Sequence, residues 1–202
     1  MVTVSTSQIE PRGYHHGDLR SALVDAGLKA LEGSTADAVS LRELARTVGV
    51  SPTAVYRHFP DKKALLAALA NEGVARLGAA QQAASVAAGG GPAGFSATGR
   101  AYVRFALKNP ALFRLSFTHG EHPQGTGLGD NEAARLLRNY AEEFAGADAE
   151  RLQLQAWAVA HGLAMLILDG LLPRDENLID TVIDQHTLFV NHITPEKSAR
   201  LR

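Results

Sequence analysis

The sequence predicts an all-α protein, an N-terminal three-helix unit joined to a larger C-terminal helical bundle. Three observations predict it. Apolar residues recur at spacings of three and four along most of the 202-residue chain, the period of a helix with one buried face. No β-type alternation, internal repeat or heptad seam of useful length interrupts them. The breaks fall at glycine, proline, serine and aspartate, the residues that start and stop helices.

The elements follow in order. Residues 1–13 are polar and Ser/Thr-rich, with Pro11 and Gly13, and read as a flexible arm. From about Asp18, the residues Leu19, Ala22, Leu23, Ala26, Ala30 and Leu31 make a helical stripe, which "EGSTADAV" breaks. Ser40 and Glu43 stand at capping-box spacing, so a second helix is expected with Leu41, Leu44, Ala45 and Val48 on one face. Gly49 ends it, because glycine adopts the left-handed conformation of a C-terminal cap at little cost. Ser51-Pro52 then supplies an N-cap and a first-turn proline for a short helix to about His58. Pro60 stops that helix, and Asp61 caps a long one through Leu65, Leu66, Leu69, Val74 and Leu77.

"AAGGGPAG", residues 87–94, is a Gly-rich connector. A phosphate loop needs a preceding strand and a defined glycine spacing, and helices flank this stretch, so it reads as a linker. Further helices are expected at about 95–108, 110–117, 130–145, 149–170 and 176–192. Pro110 and Pro173 fall at element starts or loops, where a missing amide hydrogen matters least. The expected organisation is an arm (1–13), a helix-turn-helix unit (14–62), a helical ligand-binding and dimerisation domain (63–193) and a tail (194–202).

Composition narrows the function classes. Hydrophobic residues make up 46% and charged residues 20%, an ordinary globular balance. The net charge is -1, so any basic surface must be local. The absence of cysteine excludes disulfides, thiolate metal sites and cysteine nucleophiles. The start carries no apolar run of signal-peptide length. The most apolar stretch, "AWAVAHGLAMLILDGLL", is broken by His161 and Asp169 and falls short of the roughly 20 residues of a bilayer span. A soluble cytoplasmic chain with no membrane partner is expected.

One stretch concentrates charge. Between residues 42 and 63, Arg42, Arg46, Arg57, Lys62 and Lys63 face only Glu43 and Asp61, leaving +3 on a near-neutral chain. A helix-turn-helix needs two short helices and a tight turn, with the second helix offering its N-terminal side chains to the major groove. Residues 42–48, the turn Gly49-Val50-Ser51 and residues 52–58 have that layout. Thr53 and the amides near Ser51 suit a phosphate at a helix N-terminus. The Tyr56 hydroxyl suits a phosphate or a sugar, His58 and Lys62 a passing strand, and Arg42 or Arg57 a base edge or phosphate. The bland alternative is a solvated pair of capped helices with Tyr56 and Phe59 half buried.

"SLRELARTVGVSPTAVYRHFPDKKALLAAL" resembles the N-terminal domain of TetR-family transcriptional regulators over about residues 14–72. Ala45, Gly49, Val50, Ser51, Tyr56, His58, Phe59, Lys62 and Leu65 stand in the family's pattern. The resemblance implies a recognition helix at about 52–58 and a homodimer on a near-palindromic operator of double-stranded DNA. It carries DNA contacts to Ser40, Arg42, Ser51, Thr53, Tyr56, His58 and Lys62. Pro52 and Ala54 take recognition positions without hydrogen-bond donors, leaving base reading to Thr53, Arg57 and apolar contact with thymine methyls. Trp157, His161 and Gly162 resemble the tryptophan-histidine-glycine signature of a WHG-type C-terminal domain in one subgroup.

In the C-terminal half, Phe95, Tyr102, Phe105, Leu112, Phe113, Phe117, Trp157, His161 and Met165 are candidates to line an apolar cavity for a small molecule, as is Leu152. Core packing is the competing reading of the same aromatics, and His161 reads first as a hydrogen-bonded structural histidine. By the resemblance, dimerisation uses the last two helices, with candidates Ala164, Leu168, Leu171, Ile179, Val182, Ile183, His186 and Phe189. His119, Glu121 and His122 lie close together in "THGEH", but a metal site needs three or four ligands with geometry and the HExxH spacing is absent, so no metal or other cofactor is expected. Nor does any nucleophile elbow, phosphate loop or metal motif point to an enzyme. The expected function is a repressor released from its operator by a small, largely apolar ligand. A ligand-blind regulator or an activator of the same fold stays open.

Overall fold

The structure, a computed structural model, describes residues 16–119 and 129–184. The expected arm and tail, Glu121, His122, His186 and Phe189 lie outside them. Among the described residues there are nine α-helices, two 3-10 turns and no strand. None of these helices is long and apolar enough to cross a membrane.

The N-terminal unit is α1 (His16–Leu31), α2 (Leu41–Val48) and α3 (Pro52–His58). Leu19, Leu23, Leu28 and Leu31 bury one face of α1, and a 3-10 turn at Ala36–Ala38 carries the chain to α2. Gly49 has φ +78, its amide donates to the Arg46 carbonyl at 3.3 Å, and the Val50 amide donates to the Ala45 carbonyl at 2.9 Å. Only glycine adopts that φ without strain, and the two bonds satisfy carbonyls that the end of α2 would leave orphaned. The Ser51 hydroxyl accepts from the Ala54 amide at 3.3 Å, and Pro52 fills the first turn of α3. Asp61 accepts from Ala64 at 2.7 Å and starts α4 (Lys62–Ala87).

Ser40 departs from the capping box. Its side chain makes no cap bond, and the Glu43 carboxylate instead pairs with Arg46, whose Nε donates to Oε2 at 3.3 Å. A carboxylate offered a guanidinium one turn on gains a charge-assisted bond that the cap amide cannot match.

The bundle is α4 with α5 (Gly91–Lys108), α6 (Pro110–Thr118), α7 (Glu132–Ala145) and α8 (Ala149–Leu168), followed by α9 (Glu176–Val182). The connector between α4 and α5 shrinks to Ala88–Gly90. Gly89, Gly90 and Gly91 hold φ of +82, +70 and +58 and reverse the chain abruptly, so α5 starts four residues ahead of the expected 95. A 3-10 turn at Gly146–Asp148 joins α7 to α8. The helix expected over 176–192 ends at Val182, because Ile183 leaves helical geometry at φ -104, ψ 67.

Small residues on α4 let its neighbours approach. A Cβ on Gly73 would lie 2.2 Å from Ser116 Oγ and 3.0 Å from Leu112 Cδ1 of α6, and one on Gly78 would lie 3.0 Å from the Ala133 amide nitrogen of α7. Gly73→Ala is expected to cost about 1–3 kcal/mol by overpacking. Adding Ser116→Ala, which removes the clashing oxygen, should recover part of that loss. Urea denaturation checks both, and an unshifted midpoint for Gly73→Ala would refute the close packing.

Three apolar cores result. The first joins α1–α3 to Leu65, Leu66, Leu69 and Ala70 of α4 and to Leu112 and Leu115 of α6. The second gathers Leu77, Tyr102, Val103, Phe113, Leu163, Ile167, Ile179 and Ile183. The third is Phe95, Tyr140, Ala141, Phe144 and Leu152. The boundary expected at residue 62 therefore runs through the first core. Helix α6 belongs to two cores at once, with Leu112 and Leu115 in the first and Phe113 in the second.

Candidate nucleic-acid interface and ligand cleft

The two short helices sort their side chains cleanly. Val55 is fully buried and Phe59 is 2% exposed, so both anchor α3, and the Arg20 guanidinium lies 5.4 Å from the Phe59 ring centroid. Tyr56 is 45% exposed, with Pro52, Thr53 and Arg57 also exposed, Ala54 and His58 half-buried, and Ser40 and Arg42 exposed near the start of α2. The expected half-burial of Tyr56 and Phe59 is thus resolved: Phe59 is core and Tyr56 is surface. An exposed tyrosine beside exposed Thr53 and Arg57 at a capped helix start is a surface fit for phosphates and groove edges.

Charge is more local than the sequence count. Arg46 and Glu43 neutralise each other, and their hydrogen bond, with the attraction between the charges, holds the Glu43 carboxyl below its usual range and the Arg46 guanidinium above its own. Lys62 donates from Nζ to the Asp37 carbonyl at 2.6 Å, so it ties α4 to the Ala36–Ala38 turn. Arg42, Arg57 and Lys63 remain exposed. The Ser51 hydroxyl is engaged as the cap of α3, which leaves it to position that helix.

The second site is a cleft of about 480 Å³, counting its open mouth, between α4, α5, α7 and α8, with Ile183 at one wall. Of the residues expected to line a cavity, Phe95, Tyr102 and Trp157 do. The others are placed elsewhere. Leu112 faces the first core, Phe113 is fully buried in the second, and Phe105, Phe117 and Met165 pack against it. Leu152 is spent in the third core.

His161 stands behind the cleft wall. Its ring lies 5.6 Å from Phe113, 5.0 Å from Phe117 and 6.0 Å from Trp157. Burial pushes its pKa down, so it is a neutral imidazole, and Nδ1 lies 2.8 Å from the Tyr102 hydroxyl. Burial pushes the Tyr102 hydroxyl well up, which keeps its proton on, and Trp157 Nε1 donates to it at 3.4 Å. The consistent chain of donors is Trp157 to Tyr102 to His161, which fixes the three rings.

Sequence reading missed Gln81, Thr98 and Gly99 at this cleft. A signal existed for Gln81. It falls four residues after Leu77 and four before Ser85 on the stripe that α4 buries, where a polar side chain is out of place. Of the dimer candidates, Leu171 is 70% exposed, whereas Ala164, Ile179 and Ile183 are covered within the protomer and have no surface left for a dimer contact; Leu154, 61% exposed, and Leu166, 42% exposed, were not read from the sequence. Among the described residues no cluster could hold a metal ion, and His119 is exposed beside Thr118, its Nδ1 2.9 Å from that hydroxyl.

Comparisons with known proteins agree with this geometry. Residues 23–69 match the family described as bacterial regulatory proteins, tetR family, and residues 95–187 match a tetracyclin repressor-like C-terminal domain. The HTH-type transcriptional regulator YobS of Bacillus subtilis is 25% identical over 170 residues, spanning 82% of this chain and 87% of that protein. A protein of unknown function from Rhodococcus sp. RHA1 superposes with a TM-score of 0.74 at 33% identity, over 91% of this chain and all of that one. A TetR from Acinetobacter baumannii AYE in complex with minocycline has a TM-score of 0.57 at 18% identity, over 83% of this chain and 90% of that one, a likeness of fold alone.

Proposed function

The chain belongs to the TetR family of DNA-binding transcriptional regulators, and from that premise we propose that it is a homodimeric repressor that leaves a palindromic operator when a small, largely apolar molecule enters the cleft. The observation that carries the DNA half is the division of α3, with Val55 and Phe59 buried and Thr53, Tyr56 and Arg57 turned outward. In this reading Thr53, Tyr56 and Arg57 meet the major groove. Ser40, Arg42 and His58 meet the flanking phosphates, Ser51 and Lys62 hold the helices in place, and Pro52 and Ala54 offer apolar contact to thymine methyls.

Two protomers are needed to span successive half-sites. The exposed leucines Leu166 and Leu171, with half-buried Leu168 and Val182, offer the apolar surface for a two-fold interface. A ligand releases DNA only if it binds one conformer more tightly than the other. A regulator of this kind works beside the chromosome, in the cytoplasm. The minocycline complex of the Acinetobacter protein is in keeping with a fold that accepts small molecules.

The test is fluorescence anisotropy of the protein with the DNA upstream of its own gene. Affinity is expected to fall steeply with salt, and Arg42→Ala to reduce the log–log salt slope by about 1 for each phosphate contact removed. No salt-sensitive binding, with Tyr56→Ala indistinguishable from the native protein, would sink the reading.

A further inference from the structure

Among the described residues that line the cleft, one side-chain polar atom has no hydrogen-bond partner at all. Thr98 Oγ1 donates to the Phe95 carbonyl at 2.6 Å, and the Tyr102 hydroxyl and Trp157 Nε1 are committed to each other and to His161. Gln81 is 7% exposed, and its Nε2 donates to the Thr98 carbonyl at 3.3 Å. That carbonyl accepts only, so the amide nitrogen must face it and Oε1 must be the free end. Oε1 is buried and has no hydrogen-bond partner among the described residues. A buried carbonyl left unsatisfied costs about 1–3 kcal/mol, which a matching donor recovers. Among the described residues no charged side chain lines the cleft, while the rings of Phe95, Tyr102 and Trp157 do.

Building on the reading of the cleft as a ligand site, we infer that its effector is an uncharged, ring-bearing apolar molecule that presents a single hydrogen-bond donor, a phenol or alcohol hydroxyl, to Gln81 Oε1. A carboxylate would face that oxygen with no cation to pair it, and an ammonium group would be buried without a counter-ion. The apolar body takes its binding from the aromatic wall, and Gln81 sets the choice among molecules of similar size.

Isothermal titration calorimetry of the full chain tests this with para-propylphenol, its isomer para-ethylanisole, and para-propylbenzoate. The phenol should bind roughly tenfold more tightly than the ether, the size of one buried hydrogen bond, and the benzoate more weakly than either. Gln81→Met should erase the gap between phenol and ether while leaving the ether's affinity unchanged, which also shows the variant's cleft to be intact. Equal affinities in the native protein, or a preference that survives Gln81→Met, would overturn the assignment to Gln81 and leave the cleft as a ligand site. A benzoate that binds best would overturn the uncharged class. No heat from any of the three would overturn the inference and the ligand reading together. The ranking in the native protein needs no variant, so the inference stays open to refutation even if Gln81→Met does not fold.

Discussion

Phe59→Ala is expected to lower the unfolding free energy by about 3–5 kcal/mol, the cost of emptying a buried aromatic site. Phe59 closes the junction of α3 and α4, 2% exposed and under the Arg20 guanidinium. Its loss removes the ring against which α3 is seated, so DNA binding should fail along with stability. Tyr56→Ala is the contrasting case three residues earlier. With 45% of that side chain exposed, stability should stay within about 0.5 kcal/mol, while affinity for the operator drops. Denaturant titrations and anisotropy on the two variants separate anchor from reader. Equal destabilisation by both would mean that the two rings are not divided into a surface residue and a core residue.

Phe113→Ala is expected to be as costly, about 3–5 kcal/mol. The ring is fully buried, edge-on to Tyr102 at 5.4 Å and to Phe117 at 5.0 Å. The cavity left behind would border Tyr102 and His161 and loosen the chain of donors that ends at the imidazole. Trp157 is the protein's single tryptophan and donates to the Tyr102 hydroxyl. Its emission should therefore change in the folded variant, well below the denaturation midpoint. A variant with native emission and an unshifted midpoint would show that Phe113 is not a keystone of the second core.

Much of this was legible in the sequence because caps and turns are local chemistry. Gly49, the Ser51-Pro52 restart and Asp61 each act within four residues, and all three work as their residue types require. The Ser40–Glu43 box failed because Arg46 competes for the same carboxylate, a choice that spacing alone cannot rank. The cavity residues were harder. Helical periodicity says that Phe113 and Phe95 are buried, but not that one fills a core and the other walls a cleft. Three of the dimer candidates, Ala164, Ile179 and Ile183, turn out to be buried for the same reason. Ala164 and Ile179 are apolar on a helical period, yet they face their own protomer, while Leu154 and Leu166 do not.

Helix α6 sets a limit on modularity. Leu112 and Leu115, more than forty residues after α3, complete the core beneath α1, α2 and α3. A chimera cut after Asp61 would graft the head without that floor, and without Leu65 and Leu69, and leave Val55 and Phe59 uncovered on that side. Recombining this reader with another sensor is therefore a matter of spatial rather than sequential borders, and α6 must travel with the head it supports.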